Sequence, residues 1–182
     1  MSINSLTIGK QPTLDQVLLA RERRVEFQEK LARLNQGKVL IAFKLNIPGP
    51  VKNNTLIRSV FSQGLVKIKK ELCEQGIEVF YEKDMDERTG PEAFMITEGG
   101  LKDIKQLMVK IEENSPTGRL YDLDVMTETV DGIVSISRED LDLPQRTCLV
   151  CGNLAKACGR NRTHSVETLQ EKIYSLILDE NP

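Results

Sequence analysis

The order of apolar patterns along this 182-residue chain predicts an α+β fold: a ferredoxin-like β-α-β-β-α-β core, in which an antiparallel sheet has helices packed on it. Three observations lead there. A short apolar run, Val39–Leu45, closed by Pro48-Gly49-Pro50, has the length and the ending of a buried strand. Helical spacing follows, then two strand-like runs separated by polar residues, then helical spacing again. An alternating segment over residues 120–126 completes the six-element order.

Thr13 and Gln16 form a capping-box pattern ahead of Leu14, Val17, Leu18 and Val25, which predicts a first helix over residues 14–34 with a basic middle at Arg21, Arg23 and Arg24. Ile57, Val60, Phe61, Leu65, Ile68 and Leu72 recur at helical spacing until Gly76 stops them. Residues 77–81 and 93–97 read as a hairpin whose strands are joined by a long polar loop over residues 82–90. Leu101, Ile104, Leu107, Met108 and Ile111 mark another helix, and residues 133–136 a further strand. Ser165 caps a closing helix defined by Val166, Leu169, Ile173, Leu176 and Ile177. The expected organisation is one domain over residues 1–182, with a flexible N-terminus over residues 1–12 and a Cys/His-containing helical tail over residues 146–182 packed on the core.

Composition narrows the function classes. With 40% hydrophobic and 29% charged residues the chain has the balance of one globular domain. Aromatic residues make up 4% and Trp is absent, which disfavours a base-stacking surface, and a net charge of -2 disfavours tracking a nucleic-acid backbone. No segment reaches the roughly 18 apolar residues that span a bilayer. A cytoplasmic protein with no nucleic-acid and no membrane partner is expected.

Asp122 and Asp124 stand two apart inside the apolar alternation of Tyr121, Leu123 and Val125. On a strand, residues i and i+2 point to one face, roughly 7 Å apart, so both carboxylates can reach one metal ion. Mg²⁺ takes oxygen ligands and commonly one or two carboxylates plus substrate phosphates. The plainer reading is a solvated strand face, but Asp is disfavoured in strands and two on one face repel without a cation. Arg119, just upstream, is expected to share that face.

The surrounding residues, Gly118-Arg119-Leu120-Tyr121-Asp122-Leu123-Asp124-Val125, resemble the Gly-Arg-Leu-x-Asp-x-Asp-Val signature of the citrate lyase holo-acyl-carrier-protein synthases. Further blocks agree in family order: Ala20-Arg21-Glu22-Arg23-Arg24, Leu45-Asn46-Ile47-Pro48-Gly49-Pro50-Val51-Lys52, Thr89-Gly90-Pro91-Glu92-Ala93, and Arg146-Thr147-Cys148-Leu149-Val150-Cys151 with Cys158 and His164. One departure is visible: Asn114-Ser115-Pro116-Thr117 stands where the family commonly has His-Pro-Leu, so a catalytic histidine there is not carried over.

The resemblance implies a nucleotidyltransferase that moves the 2'-(5''-phosphoribosyl)-3'-dephospho-CoA group from its triphosphate precursor, triphosphoribosyl-dephospho-CoA, to a serine of the citrate lyase acyl-carrier subunit. It implies Asp122, Asp124 and Arg119 as catalytic residues, the aspartates holding Mg²⁺. Arg21, Arg24, Asn46, Lys52, Gly118 and Glu92 are the candidate substrate-binding residues. Arg21 continues the first helix's inward series, Lys52 ends a rigid loop, and Glu92 follows a Gly-Pro turn that explains it equally well. Two alternatives stay open: a related nucleotidyltransferase for the malonate decarboxylase carrier protein, and a non-enzymatic, zinc-stabilised module that binds a carrier protein.

Cys148, Cys151, Cys158 and His164 are the number and kind of ligands in a closed tetrahedral Zn²⁺ site. Their spacing suits either a structural zinc or reduced, partly buried cysteines. Cys73 reads as a packing residue.

Overall fold

The computed structural model describes residues 6–180. Its elements run α1 (Leu14–Leu34), β1 (Val39–Leu45), α2 (Thr55–Glu74), β2 (Val79–Glu87), β3 (Gly90–Thr97), α3 (Leu101–Glu113), β4 (Tyr121–Thr129), β5 (Gly132–Ser135), α4 (Ala155–Asn161) and α5 (Val166–Glu180). The five strands form one sheet in the order β2-β3-β1-β4-β5, each neighbouring pair antiparallel. The α+β class stands.

β1 lies at the centre of the sheet, and its first five residues are buried. A strand covered on both faces reads as a continuous apolar run, as Val39 to Phe43 does. On one face, Ile41, Phe43, Tyr121, Leu123 and Val125 pack beneath Val60, Phe61 and Ile68 of α2, Ile104 and Met108 of α3, and Ile173 and Ile177 of α5. Phe43 stacks on Phe61, with ring centroids 4.7 Å apart. On the other face, Leu40, Ala42, Phe94, Ile96 and Met126 meet Leu31 and Phe27 of α1. That second cluster is smaller, so α1 covers only part of its face.

Two expectations need correcting. The polar residues 82–87 belong to β2, and the hairpin turn is short. β2 is an edge strand exposed along most of its length, so it carries the charged side chains that protect an open edge and lacks an apolar alternation. In α1, Leu14, Leu18 and Val25 face solvent at 73%, 46% and 53% exposure, and the inward line runs instead through Arg24, Gln28, Leu31 and Ala32. The capping box of Thr13 and Gln16 forms as the sequence indicates. Residues 1–5 of the stretch expected to be flexible lie outside the described residues, and Leu6 is fully buried in the main core. The short helix α4 lies within the tail that the sequence analysis expects to be helical, ahead of the closing helix α5.

One irregularity shapes the site. β5 pairs β4 from Met126 to Thr129, and the Ile136 N–H reaches the Val125 carbonyl at 3.1 Å, leaving the outer edge of β4 without strand pairing over Tyr121 to Asp124. Backbone groups at such an edge need other partners. Arg146 Nη2 donates to the Tyr121 carbonyl at 2.8 Å, Lys105 Nζ to the Leu123 carbonyl at 2.7 Å, and the Leu123 N–H to Glu112 Oε1 at 3.3 Å. Charged side chains therefore finish the strand that carries Asp122 and Asp124.

Candidate active site

The strand register sets three charged residues abreast. Glu92 on β3 is paired with Lys44 on β1, and Lys44 with Asp122 on β4. All three side chains project to the α1 face, because Phe43, Ala93 and Leu123 alternate to the other. Lys44 Nζ lies 2.6 Å from Asp122 Oδ2 and 3.1 Å from Asp124 Oδ2. Burial opposes the Lys44 charge, but the two aspartates outweigh it and hold its pKa above the ordinary lysine value. The expected coincidence of Asp122 and Asp124 on one face is thus present, and an ammonium already bridges them.

Glu92 is buried and receives Arg24 Nε at 2.7 Å, with Arg24 Nη2 closing a second contact to the same oxygen. The pair fixes α1 over the sheet at the row's far end. Beyond it opens a cavity of about 300 Å³ lined by Arg21, Arg24, Lys44, Asn46, Lys52, Glu92 and Asp122 among others. Lys52 Nζ donates to the Ile47 carbonyl at 2.8 Å, stapling the Pro48-Gly49-Pro50 loop. Burial, with the charge of Arg21 adding to it, pulls the Lys52 pKa below the ordinary value.

On the other side of Asp122 lies a cavity of about 370 Å³ whose wall includes Asp124, Asn46, Lys105, Glu112, Arg138 and Arg146. Glu112, 2% exposed at its side chain, holds Arg138 Nη2 at 2.8 Å on one oxygen and Arg146 on the other. Burial pushes the Lys105 pKa below the ordinary value despite the opposing charges of Glu112 and Asp124. A glutamate this deep is retained because every carboxylate oxygen has a cation or an N–H against it.

Arg119 does not share the face of the aspartates. It sits in a 3-10 turn, Thr117–Leu120, ahead of the strand, so strand alternation does not reach it. Its guanidinium donates to the Thr147 carbonyl at 2.8 Å. Gly118 is buried in the same turn, and a Cβ there would stand 2.7 Å from the carbonyl oxygens of Ile111 and Glu112. Close approach to the end of α3 is reason enough for that glycine.

The third and largest cavity, about 640 Å³, lies between the Pro48 loop, the 3-10 turn and the tail. Asn46, Arg119, Arg146, Leu149, Arg162, Val166 and Leu169 are among its lining residues, and no Asp or Glu is. Asn46 borders all three cavities and Asp122 borders two of them. Gln170, buried, ties α5 to the Pro48 carbonyl at 3.2 Å.

Cys148, Cys151, Cys158 and His164 converge beside this cavity, with one ligand atom of each within 4.8 Å of all the others. His164 Nε2 is 3.2 Å from Cys151 Sγ, which is 3.5 Å from Cys158 Sγ. Backbone N–H groups of Cys151 and Val150 point at the Cys148 sulfur, and Gly152 takes φ 74° to close the turn. The donor set is soft and four-fold, which fits a metal ion and leaves no open position on it. Cys73, by contrast, is exposed.

Lys44, Lys105 and Glu112 were not singled out from the sequence, although each left a trace. Lys44 is the only charge in the apolar run of β1, and Lys105 and Glu112 interrupt the apolar stripe of α3. A charge at an inward position is the mark of a buried partner.

An α+β scaffold that sets a carboxylate pair among cation-lined cavities has the make-up of a transferase for phosphate-bearing substrates. Comparison with known proteins is more specific. Residues 12–180 match the family model described as apo-citrate lyase phosphoribosyl-dephospho-CoA transferase. A Vibrio cholerae serotype O1 protein named probable apo-citrate lyase phosphoribosyl-dephospho-CoA transferase is 40% identical over 169 residues, 92% of each chain. An Escherichia coli O7:K1 protein named apo-citrate lyase phosphoribosyl-dephospho-CoA transferase is 30% identical over 168 residues, 92% of this chain and 89% of that one. The Leuconostoc mesenteroides protein CitXG is 38% identical over 162 residues, which cover 87% of this chain and 33% of that longer one. The chain belongs to the apo-citrate lyase phosphoribosyl-dephospho-CoA transferase family.

Proposed function

We propose that this protein transfers the 2'-(5''-phosphoribosyl)-3'-dephospho-CoA group from its 5''-triphosphate precursor to a serine of the citrate lyase acyl-carrier subunit, releasing diphosphate. The observation that carries the reading is the Asp122 and Asp124 pair, which holds a single cationic group where two cavities meet. The serine oxygen forms a bond to the α-phosphorus as the bond from that phosphorus to the bridging oxygen breaks. Diphosphate leaves with the electron pair, and the hydroxyl proton passes to an aspartate carboxylate or to water. Little covalent work falls to the protein, so alignment and charge neutralisation dominate.

The Lys44 ammonium is a stand-in for a metal ion between the carboxylates, and the all-oxygen donor set suits Mg²⁺. Asp122 and Asp124 would hold that ion, which supplies charge neutralisation at the phosphates. Lys44, Arg21 and Lys52 line the same cavity and would take phosphate oxygens. Arg24 and Glu92 orient the wall through their ion pair, and Asn46 spans the junction of the cavities. Arg119 would take a phosphate of the same substrate from the adjoining cavity. Zn²⁺ in the Cys148, Cys151, Cys158 and His164 site would pin the tail and do no chemistry. We place the reaction in the cytoplasm, where thiol ligands stay reduced.

Intact-mass spectrometry of apo carrier subunit incubated with the protein and the triphosphate precursor tests this. A gain equal to the phosphoribosyl-dephospho-CoA group, present with Mg²⁺ and absent with EDTA, is the expected result. No gain with folded, metal-replete protein overturns the assignment.

A further inference from the structure

The three cavities meeting at Asn46 differ in kind, and the difference points to a division of one long ligand. Those on either side of Asp122 carry carboxylates among their cations. The largest carries arginines with no carboxylate in its lining, set against an apolar wall. Among the described residues, Arg162 makes no side-chain hydrogen bond or ion pair, and Arg119 is bonded only to Thr147. Arg146 already has a carboxylate partner in Glu112. Two guanidinium charges are therefore free to meet an anion at the mouth of an apolar hollow.

Arg162 carries a second mark. It is the C-cap of α4 with φ 48° and ψ 45°, the left-handed conformation where glycine is the usual residue. A residue that carries a Cβ is disfavoured in that backbone, and such outliers cluster at ligand sites. Side-chain chemistry at that point, rather than backbone comfort, explains an arginine.

We infer that this cavity is the seat of the dephospho-CoA body of the substrate. The 5'-diphosphate lies on Arg119 and Arg162, and the uncharged part of the coenzyme against Pro48, Leu149, Val166 and Leu169. The inference rests on the transfer reading above and deepens it: the reacting triphosphate extends past Asn46 to Asp122, while the tail holds the portion that does not react. The tail thereby becomes part of the substrate site.

Dephospho-CoA, which lacks the triphosphoribosyl arm, isolates this half. Titration calorimetry of the full protein with dephospho-CoA is expected to show binding that weakens about tenfold or more in Arg162→Gly and in Arg119→Gln. Arg162→Gly removes the charge while relieving the backbone, so its melting temperature should be equal or higher as affinity falls, which separates lost contact from lost fold. Adenosine, without the diphosphate, should bind both variants as it binds the unaltered protein. Unchanged dephospho-CoA affinity in both variants, equal losses for adenosine and dephospho-CoA, or no dephospho-CoA binding to the unaltered protein would each overturn the assignment. None of these outcomes touches the carrier-modification assay, which judges the transfer reading separately.

Discussion

Lys44 Nζ stands 2.6 Å from Asp122 Oδ2 and 3.1 Å from Asp124 Oδ2, so one ammonium holds the two carboxylates that strand geometry forces side by side. Two aspartates on one strand face repel, and Lys44 offsets that repulsion from the neighbouring strand. The same ammonium competes with any metal ion for the pair. Lys44→Met should therefore lower stability in EDTA by about 1–3 kcal/mol, since it leaves two half-buried carboxylates without their cation. Millimolar Mg²⁺ should restore part of the loss. Chemical denaturation with and without Mg²⁺ measures both effects, and a variant as stable as the parent in EDTA would contradict the role assigned to Lys44.

How much of this was readable beforehand follows from where each residue sits. The helix bounds of α1 and the pairing of Asp122 with Asp124 were legible because capping chemistry and strand periodicity are local. The length of β2 was not, since an exposed edge strand is polar on both faces and resembles a loop. Arg119 was misplaced because a 3-10 turn ends before Tyr121, and alternation cannot be extended backwards through it. The charge hub at Glu112 depends on residues from α3, from the segment after β5 and from the start of the tail, a conjunction that no window of sequence contains.

Gly118→Ala should destabilise the protein by about 1–3 kcal/mol, because the added Cβ meets two backbone carbonyl oxygens at 2.7 Å and neither can yield as a side-chain tip would. Thermal melting checks it. An unaltered melting temperature with lost activity would instead place Gly118 at the substrate.

Protein purified without chelators should carry one equivalent of zinc by elemental analysis. Cys151→Ser should lose it, with a melting temperature lower by about 5 °C or more. Metal-free protein that melts with the parent would mean the four residues are simply reduced side chains packed together.

Glu180 couples acidity to the tail. Burial raises its pKa, but Lys67 and the Thr117 N–H and hydroxyl outweigh burial and hold it below the ordinary carboxylate value. A depressed pKa gives stability that is complete above the unfolded value and is lost as pH falls through the folded one. Glu180→Gln should thus cost about 1.5–3 kcal/mol at pH 7, and the gap between variant and parent should close below about pH 4. Denaturant titrations across that range decide it, and a gap independent of pH would show that the carboxylate's charge is not what docks α5.

The most direct test of the central claim is the mass of apo carrier subunit after incubation with the triphosphate precursor, Mg²⁺ and the Asp122→Asn/Asp124→Asn variant. The variant is expected to fold, to bind dephospho-CoA as the parent does, and to modify the carrier at least about 10²–10³-fold more slowly. Modification at the parental rate would move the reaction away from the paired aspartates.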